Sequence, residues 1–258
     1  LHYCTVSVEP GEIAVIVGPN GAGKSTAMKA IFGMLSLGKG EVKLNGEDIS
    51  KLSPQDRVLK GMGFVPQNQN IFTSMTVQEN LEMGAFIRKD DFSVTMNQVF
   101  NLFPILLEKR NQSAGELSGG QRKRVFLARA LAQKSEVILL DEPFTGVDVK
   151  TETAIIKLLR EMRKEGKIML VSTHNLGSVP EFCDRTILIK ETVLAYGKTE
   201  KTFTRQNLEL AFGGVLRHFV LSGTDLHDDD DTREIRVISD DERPFVLYDD
   251  ENQSDKDA

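Results

Sequence analysis

Short, wholly apolar runs alternate with helical periodicity along most of this chain. Ile13–Val17 is β-branched apart from Ala14, Val137–Leu140 is apolar throughout, and Lys167–Ser172 is apolar between polar ends. Runs this short and this continuously apolar predict strands buried on both faces of a parallel sheet. Glu41–Leu44, followed by the turn pair Asn45-Gly46, and Met62–Val65 read as two more strands. The alternating stretch Tyr3–Val8, closed by the turn Glu9-Pro10-Gly11, reads as another. Helical stretches run from Ser25 to about Met34, from Gly119 to about Ala132, and over Lys150–Lys164. Strands alternating with helices imply an α/β fold with a mostly parallel sheet. From Thr76 to about Leu107 the texture is helical only. Thr76 and Glu79 form a capping box, and Ser93 to about Leu102 reads as a second helix. Residues 76–115 are thus expected to be an all-helical insertion into the sheet domain.

Composition adds an asymmetry. Hydrophobic residues are 40% and charged ones 27% of the 258, ordinary for a globular chain. The net charge of −6 is unevenly spread. Residues 225–258 hold 14 acidic and 4 basic side chains, while the remaining 224 hold 24 and 28. A mildly basic body over 1–224 therefore carries an acidic tail over 225–258. That tail lacks helical periodicity, includes His227-Asp-Asp-Asp-Asp231, and is expected to be largely disordered. No apolar stretch approaches the roughly 20 residues of a membrane helix, so any membrane role is expected to come through a partner. No signal peptide is visible. Cys4 and Cys183 make no disulfide framework and suggest two buried thiols in a reducing compartment.

Three motifs carry chemistry. Gly18-Pro19-Asn20-Gly21-Ala22-Gly23-Lys24-Ser25 fits G-x-x-x-x-G-K-[ST], with a strand before it and a helix containing Thr26 after it. Its glycines let backbone N–H groups close around phosphates, and the helix N-terminus adds positive potential. Lys24 is expected to reach the β and γ phosphates of ATP, and the Ser25 hydroxyl to ligate Mg²⁺. Asp141 and Glu142 end the apolar run Val137–Leu140, so two carboxylates leave the sheet where ligands sit in such folds. Asp141 is expected to hold Mg²⁺ through water, and Glu142 to polarise the attacking water as general base. Leu117-Ser118-Gly119-Gly120-Gln121 reads as a second anion grip, in which Ser118 caps a helix whose first turn is glycine. One chain has no evident use for two grips on one nucleotide, unless the second closes on the ATP of another subunit.

In this order and spacing the motifs resemble the ATPases of the ABC transporter family, over roughly residues 1–220. The resemblance implies a P-loop, RecA-like core with a mostly parallel sheet, an antiparallel β edge and the helical subdomain inserted at about 76–115. Gln67 in Val65-Pro66-Gln67 matches the loop that senses Mg²⁺ and contacts membrane subunits. His174 in Val171-Ser-Thr-His174 matches the switch histidine at the γ-phosphate. Gly146-Val147-Asp148 matches the segment crossing the dimer interface. The family also implies a head-to-tail dimer with two ATP molecules, each between one subunit's Lys24 loop and the other's Ser118–Gln121. Integral membrane permease subunits follow as partners, with a solute-binding protein acting indirectly. The implied location is the cytoplasmic face of the cell membrane.

The resemblance changes branch along the chain. Residues 1 to about 115, with Thr76-Val-Gln-Glu-Asn-Leu-Glu-Met-Gly84, look like branched-chain amino-acid importers. From Arg122 onward, Asp141-Glu-Pro-Phe-Thr-Gly-Val-Asp148 and Ala211-Phe-Gly-Gly-Val-Leu-Arg-His218 look like manganese or iron importers. Metal-ion uptake is the expected role, with amino-acid uptake the alternative. A non-transport ATPase of the family, in DNA repair or translation, is a further alternative. The short interval between Lys24 and Ser118, the single ATPase unit and the lack of a basic nucleic-acid patch argue against it. A P-loop kinase or GTPase would not carry the Ser118 loop. The family's adenine-stacking aromatic, some two dozen positions ahead of the phosphate loop, has no counterpart among the 17 residues before Gly18. Tyr3 replaces it poorly, so nucleotide affinity weaker by about 1–3 kcal/mol is expected. His227 with Asp228–Asp231 offers ligands of the kind Mn²⁺ or Fe²⁺ take, although the run reads first as a solvated acidic tail.

Overall fold

A computed structural model describes residues 2, 4–67 and 71–213, with the backbone of 217–221, 235–239 and 244–248. The chain begins with β1 (Ile13–Val17), α1 (Lys24–Ile31), the two-residue strands β2 (Lys43–Leu44) and β3 (Glu47–Asp48), α2 (Pro54–Leu59) and β4 (Met62–Val65). Three helices follow without a strand: α3 (Val77–Gly84), α4 (Ser93–Leu102) and α5 (Pro104–Glu108). Then come α6 (Gly119–Ala132), β5 (Val137–Asp141), α7 (Val149–Lys164), β6 (Ile168–Thr173), α8 (Val179–Phe182), β7 (Arg185–Lys190) and β8 (Thr192–Lys198). The helices α9 (Thr199–Thr202) and α10 (Arg205–Phe212) precede β9 (Arg217–Leu221), β10 (Ile235–Ser239) and β11 (Pro244–Tyr248).

Six strands form the main sheet in the order β4-β5-β6-β1-β7-β8. All neighbours are parallel except the edge pair β7–β8. The apolar runs read as strands are its centre, and they are buried because helices cover both faces. Alternate residues of β1 feed two separate cores. Ile13, Val15 and Val17 pack with α3, α6 and α7, whereas Ala14 and Ile16 pack with α1 residues such as Met28. Because β1, β4, β5 and β6 run in parallel, their carboxyl ends leave the sheet along one edge.

The Thr76–Glu79 capping box forms as read. Glu79 N–H donates to Thr76 Oγ1 at 3.2 Å, and Thr76 N–H to Glu79 Oε2 at 2.7 Å. The Asn45-Gly46 turn has both residues at positive φ, 50° and 83°, as a two-residue hairpin between β2 and β3 requires. Sequence patterning did not reveal the buried Arg57 on α2. Its guanidinium donates to the carbonyls of Ala30 and Ile31 at the end of α1, and to those of Ser50 and Leu52. It thereby satisfies carbonyls that a helix C-terminus leaves without partners.

Several expectations are corrected. Residues 4–9 form no strand, and His2 alone bridges to Thr192; Tyr3 lies outside the described residues. Cys4 is exposed rather than buried, while Cys183 is buried and its thiol pKa is pushed up by that burial. Within 225–258 the described residues are the two strands β10 and β11, and β10 pairs antiparallel with both β9 and β11. Ile235–Ser239 and Pro244–Tyr248 are islands of β-favouring residues between acidic runs, a local pattern that net charge conceals. His227–Asp231 lies outside the described residues. Among those described, no group of three or more His, Cys, Asp or Glu is placed to hold a metal, and no helix is long and apolar enough to cross a membrane.

Candidate active site

The chain leaves β1 into a loop held tightly against the sheet. A Cβ on Gly18 would lie 2.3 Å from the Ile189 carbonyl oxygen, so only glycine lets the loop turn over β7 here. Gly23 takes a φ of 99° as the N-cap of α1, a left-handed conformation that L side chains resist. Between them Pro19, Asn20, Gly21 and Ala22 form the arch, with Asn20 and Gly21 exposed and Ala22 buried. Lys24 is the first residue of α1, and its Nζ points back into the arch. It donates to the Gly18 carbonyl at 2.8 Å and to that of Pro19 at 3.3 Å. Ser25 follows half-buried and Thr26 exposed.

Beside this loop β5 and β6 end together, with Asp141 in register with Ser172. Asp141 Oδ1 accepts from Ser25 Oγ at 3.0 Å and from Ser172 Oγ at 2.6 Å. The next residue, Glu142, adopts a φ of 51° and so turns out of the strand direction. Its carboxylate is grasped from two sides. Lys24 Nζ lies 3.4 Å from Oε1, and His174 Nδ1 lies 2.8 Å from Oε2. A carboxylate only accepts, so that ring nitrogen carries the proton. Burial pushes the Glu142 carboxyl up, but the His174 hydrogen bond and the charges of Lys24 and His174 outweigh it, leaving the pKa below its ordinary value. The group is therefore ionised near neutral pH, as a general base must be.

These residues come from three separate segments, and the structure brings Lys24, Ser25, Asp141, Glu142 and His174 together. It does not bring Gln67 or the Ser118 segment to them. Gln67 stands exposed two residues beyond β4, the strand next to β5, and makes no hydrogen bond to Ser25 or Asp141 among the described residues. Ser118 caps α6 through a full capping box with Gln121: Gln121 N–H donates to Ser118 Oγ at 3.3 Å, and Ser118 N–H to Gln121 Oε1 at 3.1 Å. Ser118 and Gly119 are exposed, Gly120 is half-buried, and a Cβ on Gly119 would meet nothing within 4 Å. Among the described residues, no hydrogen bond joins this segment to the Gly18–Thr26 loop of the same chain. It faces outward, free to meet another molecule.

Three residues that motif reading missed tie these parts together. Lys123, one turn into α6, donates to the Glu142 carbonyl at 3.3 Å; burial lowers its pKa, opposed by the charges of Glu142 and Asp141. Arg124 donates to Thr151 Oγ1, whose own N–H is capped by Asp148. The third is Ser172, which no periodicity marks, because its partner Asp141 is fixed only by strand register.

A family model described as ABC transporter matches residues 1–145. The chain is also 48% identical over 96% of its length, and 85% of the relative, to the chelated iron transport system membrane protein YfeB of Yersinia pestis. The chain belongs to the ABC transporter family. Among relatives of this cassette, the manganese transport system ATP-binding protein MntA of Synechocystis is 47% identical over 83% of this chain and 84% of its own. The high-affinity branched-chain amino acid transport ATP-binding protein BraG of Pseudomonas aeruginosa is 35% identical over 74% and 82%. Both branches seen in the sequence are thus represented. A solved ATP-binding cassette, dimeric in a post-hydrolysis state and bound to ADP and Pi, superposes with a TM-score of 0.69 at 30% identity, covering 76% of this chain and 88% of that one.

The cassette has one further feature of note, a groove of about 220 Å³ between the sheet domain and the helical segment. Phe64, Phe72, Met83, Ile87 and Phe126 line it, and the Arg129 guanidinium sits 5.3 Å from the ring centres of both Phe72 and Phe126.

Proposed function

We propose that this cassette is the ATP-hydrolysing subunit of an importer of manganese or iron, working as a head-to-tail homodimer beneath integral membrane permeases. The carrying observation is Glu142, buried and ionised at the sheet's carboxyl edge, with Lys24 on one oxygen and His174 on the other. In this reading the Gly18–Thr26 loop takes the phosphates of ATP, Lys24 swings from Glu142 to the β and γ phosphates, and Glu142 orients the attacking water. His174 then contacts the γ-phosphate. Ser118–Gln121 of a second copy closes the site, which accounts for its outward exposure.

Mg²⁺ fits the residues present. Ser25 Oγ and the Asp141 carboxylate lie 3.0 Å apart and are oxygen donors of the kind this hard cation takes, with Gln67 at the same edge of the sheet. When bound, the ion would neutralise charge on the β and γ phosphates. The apolar groove suits a helical segment of the permease, placing the cassette peripherally at the cytoplasmic face of the membrane. Metal is favoured over amino acid as cargo because the relatives named for iron and manganese systems share 48% and 47% identity, against 35% for the amino-acid one.

Glu142→Gln tests the reading. It should bind ATP, accumulate as a dimer on size-exclusion chromatography and lose about 10²–10⁴-fold in turnover. A monomer with wild-type turnover would overturn the assignment. Uptake of radiolabelled Mn²⁺, but not leucine, by vesicles holding the cassette with its permease would support the cargo.

A further inference from the structure

Four hydrogen bonds converge where β5 and β6 end, and one buried hydroxyl takes part in two of them. Ser172 is fully buried. Its Oγ donates its single proton to Asp141 Oδ1 at 2.6 Å and accepts from the Glu142 N–H at 3.0 Å. The same N–H also reaches the Ser172 carbonyl at 3.1 Å. The fourth bond is the one from Ser25 Oγ to Asp141 Oδ1 at 3.0 Å. A hydroxyl has one proton, and here its direction is fixed, because a carboxylate can only accept and an N–H can only donate.

From this geometry we infer that Ser172 is a positioning residue for the nucleotide's divalent cation, holding Asp141 and the first atoms of Glu142 in one arrangement. Asp141 has two hydroxyl donors in the nucleotide-free chain. Ser25 Oγ can offer a lone pair to a cation and still donate its proton to Asp141. The shorter bond, from the fully buried Ser172, comes from the strand side and ties the Asp141 carboxylate to β6 whatever Ser25 does. Hydrogen bonds to a carboxylate that serves a metal fix its orientation in this way. The second bond acts on Glu142, which leaves the strand at a φ of 51°. An anchored N–H at that turn keeps its carboxylate directed at Lys24 and His174. A valine or alanine at 172 would leave the Glu142 N–H its carbonyl acceptor but would strip Asp141 of its buried donor.

The inference rests on the ATPase reading, and its test separates the two. Mn²⁺ serves as the probe, measured by electron paramagnetic resonance as the ADP-dependent bound fraction, so that any Mn²⁺ taken up elsewhere on the chain is subtracted. ADP affinity is measured in parallel with EDTA present. Ser172→Ala should weaken ADP-dependent Mn²⁺ binding by about 10–100-fold, with ADP affinity in EDTA held within about twofold. Ser172→Thr, which keeps the hydroxyl, should recover most of the loss. Mn²⁺ binding unchanged in Ser172→Ala overturns the inference. So does a parallel fall in metal-free ADP affinity, or a failure of Ser172→Thr to restore binding, because either would mean that Ser172 merely packs the strand. A wild-type chain with no ADP-dependent Mn²⁺ signal would instead overturn the ATPase reading itself.

Discussion

Lys24 Nζ and Glu142 Oε1 lie 3.4 Å apart, with the two side chains 6% and 5% exposed, so the proposed phosphate ligand and the proposed general base neutralise one another. A buried charge is costly without a partner, and each residue here supplies the other's. In the proposed cycle nucleotide binding separates them, and a phosphate takes over the lysine. The same pair makes the nucleotide-free chain sensitive to acid. Its partners hold the Glu142 pKa below the ordinary 4.5, so the ionised form stabilises the fold at higher pH, and that contribution fades as pH falls through the lowered value. Between about pH 5 and about pH 3 the nucleotide-free wild type should lose more in Tm than Glu142→Gln. Parallel curves for the two proteins would contradict this.

Gly18→Ala places a Cβ 2.3 Å from the Ile189 carbonyl oxygen and 3.1 Å from the Ala22 Cβ. Backbone on both sides must yield, since neither neighbour is the end of a flexible side chain. A loss of about 1–3 kcal/mol in unfolding free energy is expected, with a large drop in ADP affinity. Wild-type ADP binding by calorimetry would show that the loop tolerates the crowding.

Ser118→Ala removes the acceptor for the Gln121 N–H and should cost about 1 kcal/mol of stability as a lost helix cap. Its larger effect should appear only between subunits. ADP affinity of the single chain should be unchanged, while ATP-driven dimerisation in a Glu142→Gln background should fall. If ADP binding by the isolated chain falls as well, Ser118 acts on its own site and the head-to-tail arrangement is wrong.

Ile87→Glu puts a charge into the groove beside Phe72 and Met83, with Ile87 itself 40% exposed. Basal ATP turnover of the isolated cassette should stay within about twofold, because surface substitutions away from packed or bonded features change little. Co-purification with the permease should be lost. Retained assembly would place the permease contact elsewhere.

The apolar runs of β1, β5 and β6 were legible without a structure because a strand buried on both faces must be continuously apolar. Met62–Val65 and Ser93–Leu102 match strand and helix as read, and the capping box at Thr76 formed because all its partners lie within one turn. The phosphate loop was equally plain, since its glycines answer to local demands, a left-handed φ at Gly23 and a close approach at Gly18. Reading failed where partners are distant. Cys4–Val8 forms no strand despite its alternation, and the strands Ile235–Ser239 and Pro244–Tyr248 were hidden under the charge of their surroundings.

The sequence by itself determined the motif residues and the chemistry proposed for them: Lys24 toward phosphate, Ser25 and Asp141 toward the cation, Glu142 as base and Ser118 as a second grip. Only the tertiary structure decided how they meet. Parallel register set Ser172 against Asp141, the turn at Glu142 aimed its carboxylate between Lys24 and His174, and α6 carried Ser118 away from its own chain's loop. Residue type fixes which bonds a group can make, whereas strand pairing and helix packing fix which partners come within about 3 Å of it.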